Sequence, residues 1–333
     1  MMLIGGGLLL GTILLILLFI VRDWAPELKR EVVEPRWATA PSAFINVTGI
    51  RVHVRDEGPR DDSSPIVLLH GTASSLHTWD GWTELLKGDR RVVRFDLPGF
   101  GLTSPSPDGT YSAEKDTSLL VAILDFLDID QCVLGGNSLG GSISWRTALT
   151  HPSRVEKLIL VDAGGYDISP GSRPVAFYFA KMSMIDWIVR NTLPRGLIDW
   201  MVRNTLPRGI VAQGLRKVYG DPSKVGVELI ARYRELIQME GNRRAFIKRV
   251  GQWLRAPRPY HRIPELQMPT LIIWGGRDRL VPPEAAELFH RDIAGSTLFM
   301  FDDLGHLPQE EDPVRTVAAV RKFLQLKPVA PIA

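Results

Sequence analysis

Six compact runs rich in Val, Ile and Leu recur along the chain, each bounded by Gly, Pro or Asp. They are PIVLLHG from Pro65, RVVRFDLPG from Arg91, QCVLGG from Gln131, KLILVDAGG from Lys157, TLIIWGG from Thr270 and STLFMFDD from Ser296. A strand that is apolar nearly throughout has no face suited to water, so both of its faces must be covered. This pattern belongs to a mainly parallel sheet flanked by helices, and stretches with helical spacing at about 112–129, 139–150 and 311–326 can supply the crossovers. FINV from Phe44 and IRVHVRDEG from Ile50 predict an antiparallel hairpin ahead of these strands. The fold class is therefore α/β.

Length and composition permit a large core: 333 residues, 45% hydrophobic and 23% charged. A net charge of +3, with no basic arm carrying interleaved aromatics, gives no reason to invoke nucleic acid. Cys132 is the single cysteine, which excludes an internal disulfide and a cysteine-based zinc cluster. The seven histidines are scattered without ligand spacing, so neither a metal nor a cofactor is expected.

The N-terminus differs from the rest. Residues 3–21, LIGGGLLLGTILLILLFIV, carry no charge. As a helix rising about 1.5 Å per residue they would nearly cross a hydrocarbon core of roughly 30 Å. A cleaved signal peptide would need a basic start, a shorter apolar stretch and a small-residue cleavage site close behind it. Here MM precedes the run, RDW follows it, and the nearest such site, Ala38-Thr39-Ala40, lies well downstream. Residues 1–21 are thus expected to be a single-pass transmembrane anchor, and residues 22–42, with Pro26, Pro35 and Pro41, a linker. Arg22, Lys29, Arg30 and Arg36 follow the run and no basic residue precedes it, which predicts that the remainder lies on the cytoplasmic side.

Ser138 sits in G-N-S-L-G, between the strand QCVLGG and a helix beginning near Leu139. This is the context of a G-x-S-x-G nucleophile elbow, where small neighbours let strand and helix approach closely. At the helix start the Leu139 amide is free to stabilise negative charge on a substrate oxygen. A serine hydroxyl needs a base, and the base needs an orienting group. Asp278 follows the strand TLIIWGG and His306 follows STLFMFDD, so nucleophile, acid and base fall at three strand ends in the order Ser, Asp, His. Asp162 is the rival orienter because it also follows a strand, but its loop reads as a turn out of the sheet. His70 is expected to shape the turn before Thr72. His53, His77, His151, His261 and His290 have no partner pattern.

The span 43–328 resembles the α/β-hydrolase family. LLHGTASSLHTW is similar to its oxyanion loop, FDLPGFGLTS to the turn after the next strand, GGNSLGG to its elbow, WGGRDRLVP to its acid loop and LGHLPQEEDP to its histidine loop. The resemblance implies Ser138 as nucleophile, His306 as general base and acid, Asp278 as orienter, and the amides of Thr72 and Leu139 as the oxyanion hole. Haloalkane dehalogenases and epoxide hydrolases of the family carry aspartate at the elbow, where this chain has serine. The resemblance also implies a core formed by residues 43–165 and 265–333, interrupted by a helical cap at 166–264.

The insertion holds a tandem repeat, MIDWIVRNTLPRG (184–196) followed by LIDWMVRNTLPRG (197–209), identical at eleven of thirteen positions. Asn-Thr-Leu-Pro should end each short helix. The repeat reads either as a duplication tolerated in a variable region or as a contact anchored by Trp187 and Trp200. The insertion carries 18 Lys+Arg against 7 Asp+Glu, the rest of the chain 22 against 30. A basic cap could lie on anionic headgroups, with Trp187, Trp200 and Trp253 at the interface or lining the pocket, or its arginines could form a solvated face or pair with the acidic core. The function expected is a membrane-anchored serine hydrolase cleaving an ester or related acyl bond of an apolar small molecule. Two other classes compete: a carbon–carbon bond hydrolase of the ring-cleavage-product type, whose elbow resembles Asn-Ser-Leu-Gly-Gly, and a non-catalytic binding protein on the same fold.

Overall fold

The six apolar runs all become strands, and with the hairpin they make one eight-stranded sheet. A computed structural model describes residues 20–166 and 194–328, apart from 254 and 258. The strands are β1 (Ala43–Val47), β2 (Ile50–Glu57), β3 (Ile66–Leu69), β4 (Val92–Phe95), β5 (Cys132–Asn137), β6 (Val155–Val161), β7 (Thr270–Gly275) and β8 (Thr297–Phe301). Their order is β1-β2-β4-β3-β5-β6-β7-β8. The pairs β1–β2 and β2–β4 are antiparallel and all others parallel.

The helices in chain order are α1 (Arg30–Trp37), α2 (Asp80–Leu86), α3 (Ala113–Phe126), α4 (Leu139–Thr150), α5 (Arg195–Asn204), α6 (Ile210–Val218), α7 (Val227–Gln238), α8 (Asn242–Trp253), α9 (Glu284–Asp292), α10 (Pro308–Glu311) and α11 (Pro313–Phe323). Strand alternation divides the core in two. Val67, Leu69, Leu134, Leu158 and Ile272 face a cluster with Leu120, Ile143 and Phe289 of α3, α4 and α9. Ile66, Leu68, Val133, Ile159 and Ile273 face Trp82, Leu86, Val317 and Val320 of α2 and α11. Local signals set the ends of these helices. Ser112 caps α3 by accepting from Lys115 N at 3.3 Å, and Asp312 caps α11 by accepting from Arg315 N at 3.1 Å.

Between β6 and β7 the described part of the insertion is helical, α5 to α8. The second repeat copy forms α5, which stops at Asn204 before Thr205-Leu206-Pro207, as the Pro predicts. Residues 184–193 of the first copy, including Trp187, lie outside the described residues.

The stretch 22–42, expected to be a linker, is instead folded onto the insertion. Ala25 N donates to Asn204 O, Leu206 N to Asp23 O and Leu28 N to Gln238 O, at 2.8, 2.9 and 2.8 Å. Val33 and Trp37, one turn apart on α1, are buried with Leu102, Leu236 and Met239. Prolines and mixed charges signalled a linker, but two apolar residues at i and i+4 find a distant partner surface. No helix among the described residues is long and apolar enough to cross a membrane. Residues 1–19, most of the expected anchor, lie outside the described residues.

Candidate active site

Ser138 follows β5 and caps α4 with φ +54° and ψ −112°, a conformation rarely adopted by residues other than glycine. Two glycines make the turn sterically possible. A Cβ on Gly136 would sit 2.3 Å from the Gly140 carbonyl carbon, and one on Gly140 would sit 2.2 Å from Leu69 O. The serine is half-buried, while Gly136 and Asn137 before it are fully enclosed.

The acid and histidine loops meet beside it. His306 Nδ1 lies 2.6 Å from Asp278 Oδ2, and both side chains are almost completely enclosed. Asp278 Oδ1 accepts from Leu280 N and Val281 N at 2.7 and 3.1 Å, so the carboxylate is fixed from two sides. With Nδ1–H donated to Asp278, the His306 Nε2 lone pair is free to accept a proton.

Asp162, the rival orienter, does not take that position. It leaves β6 with φ +44°, and its Oδ1 accepts from Gly275 N at 3.0 Å. Burial, and next to it the charge of Asp278, push its carboxyl well above the usual carboxylate range. One donor atom each of Asp162, Asp278 and His306 lie within 4.8 Å of one another.

The oxyanion loop abuts the elbow: a Cβ on Gly71 would lie 3.1 Å from the Ser138 Cβ. Thr72 follows Gly71 in a turn, and Leu139 is the first residue of α4. Among the described residues no backbone acceptor takes either amide. His70 braces this loop as expected, contacting Gly71 O through Nδ1 at 2.7 Å and accepting from Leu97 N through Nε2 at 2.9 Å. Burial lowers its pKa, in keeping with the neutral form that this pairing requires.

Two supports escaped the sequence reading. Asn137 Nδ2 donates to His306 O at 2.9 Å and to Val161 O at 3.1 Å, so the residue before the serine holds the histidine main chain. Glu311 Oε2 accepts from Gly305 N and Gly220 N, both at 2.9 Å, and its Oε1 accepts from Asp221 N at 2.8 Å, tying the histidine loop to the insertion. The only local hint was an acidic residue just past His306, a position that reads as an exposed helix start. A cleft of about 410 Å³ opens between core and insertion, lined by Asp80, Tyr219, Lys224, Arg232 and Glu310 among others. It borders none of Ser138, Asp278 and His306.

Comparison with known proteins agrees with this architecture. Residues 66–320 match the alpha/beta hydrolase family. The chain is 28% identical over 287 residues to a 2-hydroxy-6-oxononadienedioate/2-hydroxy-6-oxononatrienedioate hydrolase of Escherichia coli, covering 84% of this chain and 93% of that one. Among solved structures it is similar to a thermophilic esterase from Thermogutta terrifontis, with 25% identity, TM-score 0.66 and coverage of 86% and 98%. It is also similar in fold to a bacterial membrane phospholipase A, with 22% identity, TM-score 0.71 and 97% of each chain covered.

Proposed function

Because the chain belongs to the alpha/beta hydrolase family and is a hydrolase, we propose that it cleaves an ester or related acyl bond through an acyl-enzyme on Ser138. The observation that carries this reading is the buried 2.6 Å contact of His306 Nδ1 with Asp278 beside a serine in a strained strand-to-helix turn. His306 takes the Ser138 proton as the oxygen attacks the acyl carbon, then returns it to the leaving alcohol. Water repeats the sequence to release the acid. Asp278 keeps the imidazole in the required tautomer, and the Thr72 and Leu139 amides receive the charge on the tetrahedral oxygen. The Ser138 turn and the 25% identity to an esterase support an acyl substrate.

The reading includes attachment to a membrane by residues 1–21, with the catalytic part on the cytoplasmic side. An apolar surface where residues 1–19 join the described chain supports it. Val21, Trp24, Leu197, Trp200 and Ile210 are exposed there, and the Trp24 and Trp200 rings lie 5.9 Å apart. Such a surface suits substrates drawn from the bilayer. C-terminal reporter fusions test the side: activity of a reporter that works only outside the cytoplasm would reverse it.

The second reading is a carbon–carbon bond hydrolase, supported by the 28% identity to the E. coli ring-cleavage hydrolase. Fluorophosphonate labelling followed by turnover assays separates the readings. Ser138 should be labelled, and Ser138→Ala should lower acyl-ester turnover by about 10⁴-fold or more without loss of thermal stability. An unlabelled Ser138 in active protein would remove the acyl-enzyme. Turnover of vinylogous diketones but not of esters would select the second reading.

A further inference from the structure

Asp162 is an acid that the proposed reaction does not use, enclosed at the centre of the site. A residue other than glycine at φ +44° carries backbone strain that Gly or Asn would lessen, so the position demands an account. Gly275 N occupies Oδ1 at 3.0 Å. Its Oδ2 is buried and has no N–H or O–H donor among the described residues. The groups that face it are Asp278 from the loop after β7, Glu311 from α10 and His306 from the loop after β8. Glu311 already receives three backbone N–H groups and His306 Nδ1 is directed to Asp278. Asp278 alone remains as a partner. Two carboxylates cannot face each other in an enclosed site without a proton between them.

We propose that Asp162 is a positioning residue of the active site, whose carboxyl keeps its proton and donates it through Oδ2 to the Asp278 carboxylate. Asp278 then receives donors from Leu280, Val281, His306 and Asp162, which surround it. The bond fixes the carboxylate plane against His306 and draws off part of its negative charge, so the imidazolium formed during turnover is held in place without being over-stabilised. The cost of enclosing Asp162 and its preference for the neutral form agree with this arrangement. The inference rests on the reading of Ser138, His306 and Asp278 as the catalytic groups.

The test compares Asp162→Asn with Asp162→Leu in the full chain and follows the pH dependence of kcat/KM on a soluble ester. An amide keeps both the acceptor for Gly275 N and a donor for Asp278. Asp162→Asn should therefore stay within about threefold of the parent with its acidic limb unmoved, while Asp162→Leu should lose tenfold or more with the limb displaced to higher pH. If Asp162 were ionised instead, Asp162→Asn would remove a negative charge beside His306 and move the limb to lower pH, which would overturn the proposal. Carbon-13 NMR of aspartate-labelled parent protein reads the proton without any variant. One carboxyl should keep its protonated shift from about pH 5 to pH 8, where an ordinary aspartate is ionised. Ordinary titration of every aspartate would refute the assignment. Failure of the underlying triad reading would appear separately, as undiminished turnover by Ser138→Ala.

Discussion

The sheet and the insertion are held together by different physics. Every position of β3, β4, β5 and β7 is buried, and the two apolar clusters on either face carry the packing. The insertion meets the core and the N-terminal stretch through two smaller apolar clusters, to which discrete polar ties are added. Arg249 on α8 pairs with Asp116 on α3, donating from Nη2 to Oδ1 at 3.1 Å, and stacks over Tyr111 at 4.7 Å. Arg232 on α7 pairs with Glu310, and Tyr233 OH bonds Glu310 Oε2 at 2.9 Å. Arg243 Nη1 donates to Ala25 O and Thr205 O, each at 2.8 Å. Apolar burial is non-directional and tolerates a change of neighbour, whereas a buried guanidinium needs particular acceptors in particular places. The core can thus hold the reacting groups in register while the insertion varies around a few anchoring contacts.

Breaking one such tie should have the largest effect on stability. Arg249→Leu leaves Asp116 enclosed without its cation and should cost about 3–5 kcal/mol in urea unfolding, with much of the loss recovered when Asp116→Leu is added. A loss below about 1 kcal/mol for the single change would show that the insertion does not depend on its buried ion pairs.

Acid should weaken the junction of α1 with the oxyanion loop. Burial pushes the His77 pKa down from 6.5 to about 3. Its Nε2 contacts Trp37 O at 2.9 Å and its Nδ1 contacts Ser75 Oγ at 3.0 Å, an arrangement for the neutral ring. The unfolded chain binds a proton near pH 6.5 that the folded one refuses until about pH 3. This contribution to stability is therefore fully present above pH 6.5 and is lost as pH falls toward 3, on the order of 5 kcal/mol over the whole window. In His77→Gln the urea midpoint should fall less steeply through that window; an identical slope would exclude His77 as the source.

The exposed apolar surface should matter least to stability. Trp24 and Trp200 are 50% and 40% exposed, so Trp200→Ala should change unfolding by no more than about 0.5 kcal/mol. Turnover of an ester embedded in vesicles should nevertheless fall relative to that of a soluble ester. An equal change on both substrates would separate this surface from the bilayer.

The core was legible because its signals are local. Val67 and Leu68 declare strand by composition, and the glycines at 136 and 140 mark where a helix must come within contact of a strand. The insertion was legible only as helices of basic character, since the acceptors for Arg232, Arg243 and Arg249 are Glu310, Ala25 and Asp116, each far away in the chain.

The sequence by itself determined the α/β sheet, the elbow at Ser138 and the candidate Asp and His at strand ends, because strand periodicity and turn chemistry act over a few residues. Only the tertiary structure put Asp278 rather than Asp162 in contact with His306, folded residues 22–42 onto the insertion and turned Glu311 into a brace. Each of these depends on which groups share an enclosed volume. Asp162 and Asp278 both follow strands and look alike in one dimension; β6 and β7 are neighbours in the sheet, so the two carboxyls meet, and Asp278 is the one that contacts His306 while burial and the charge of Asp278 push Asp162 above the usual carboxylate range.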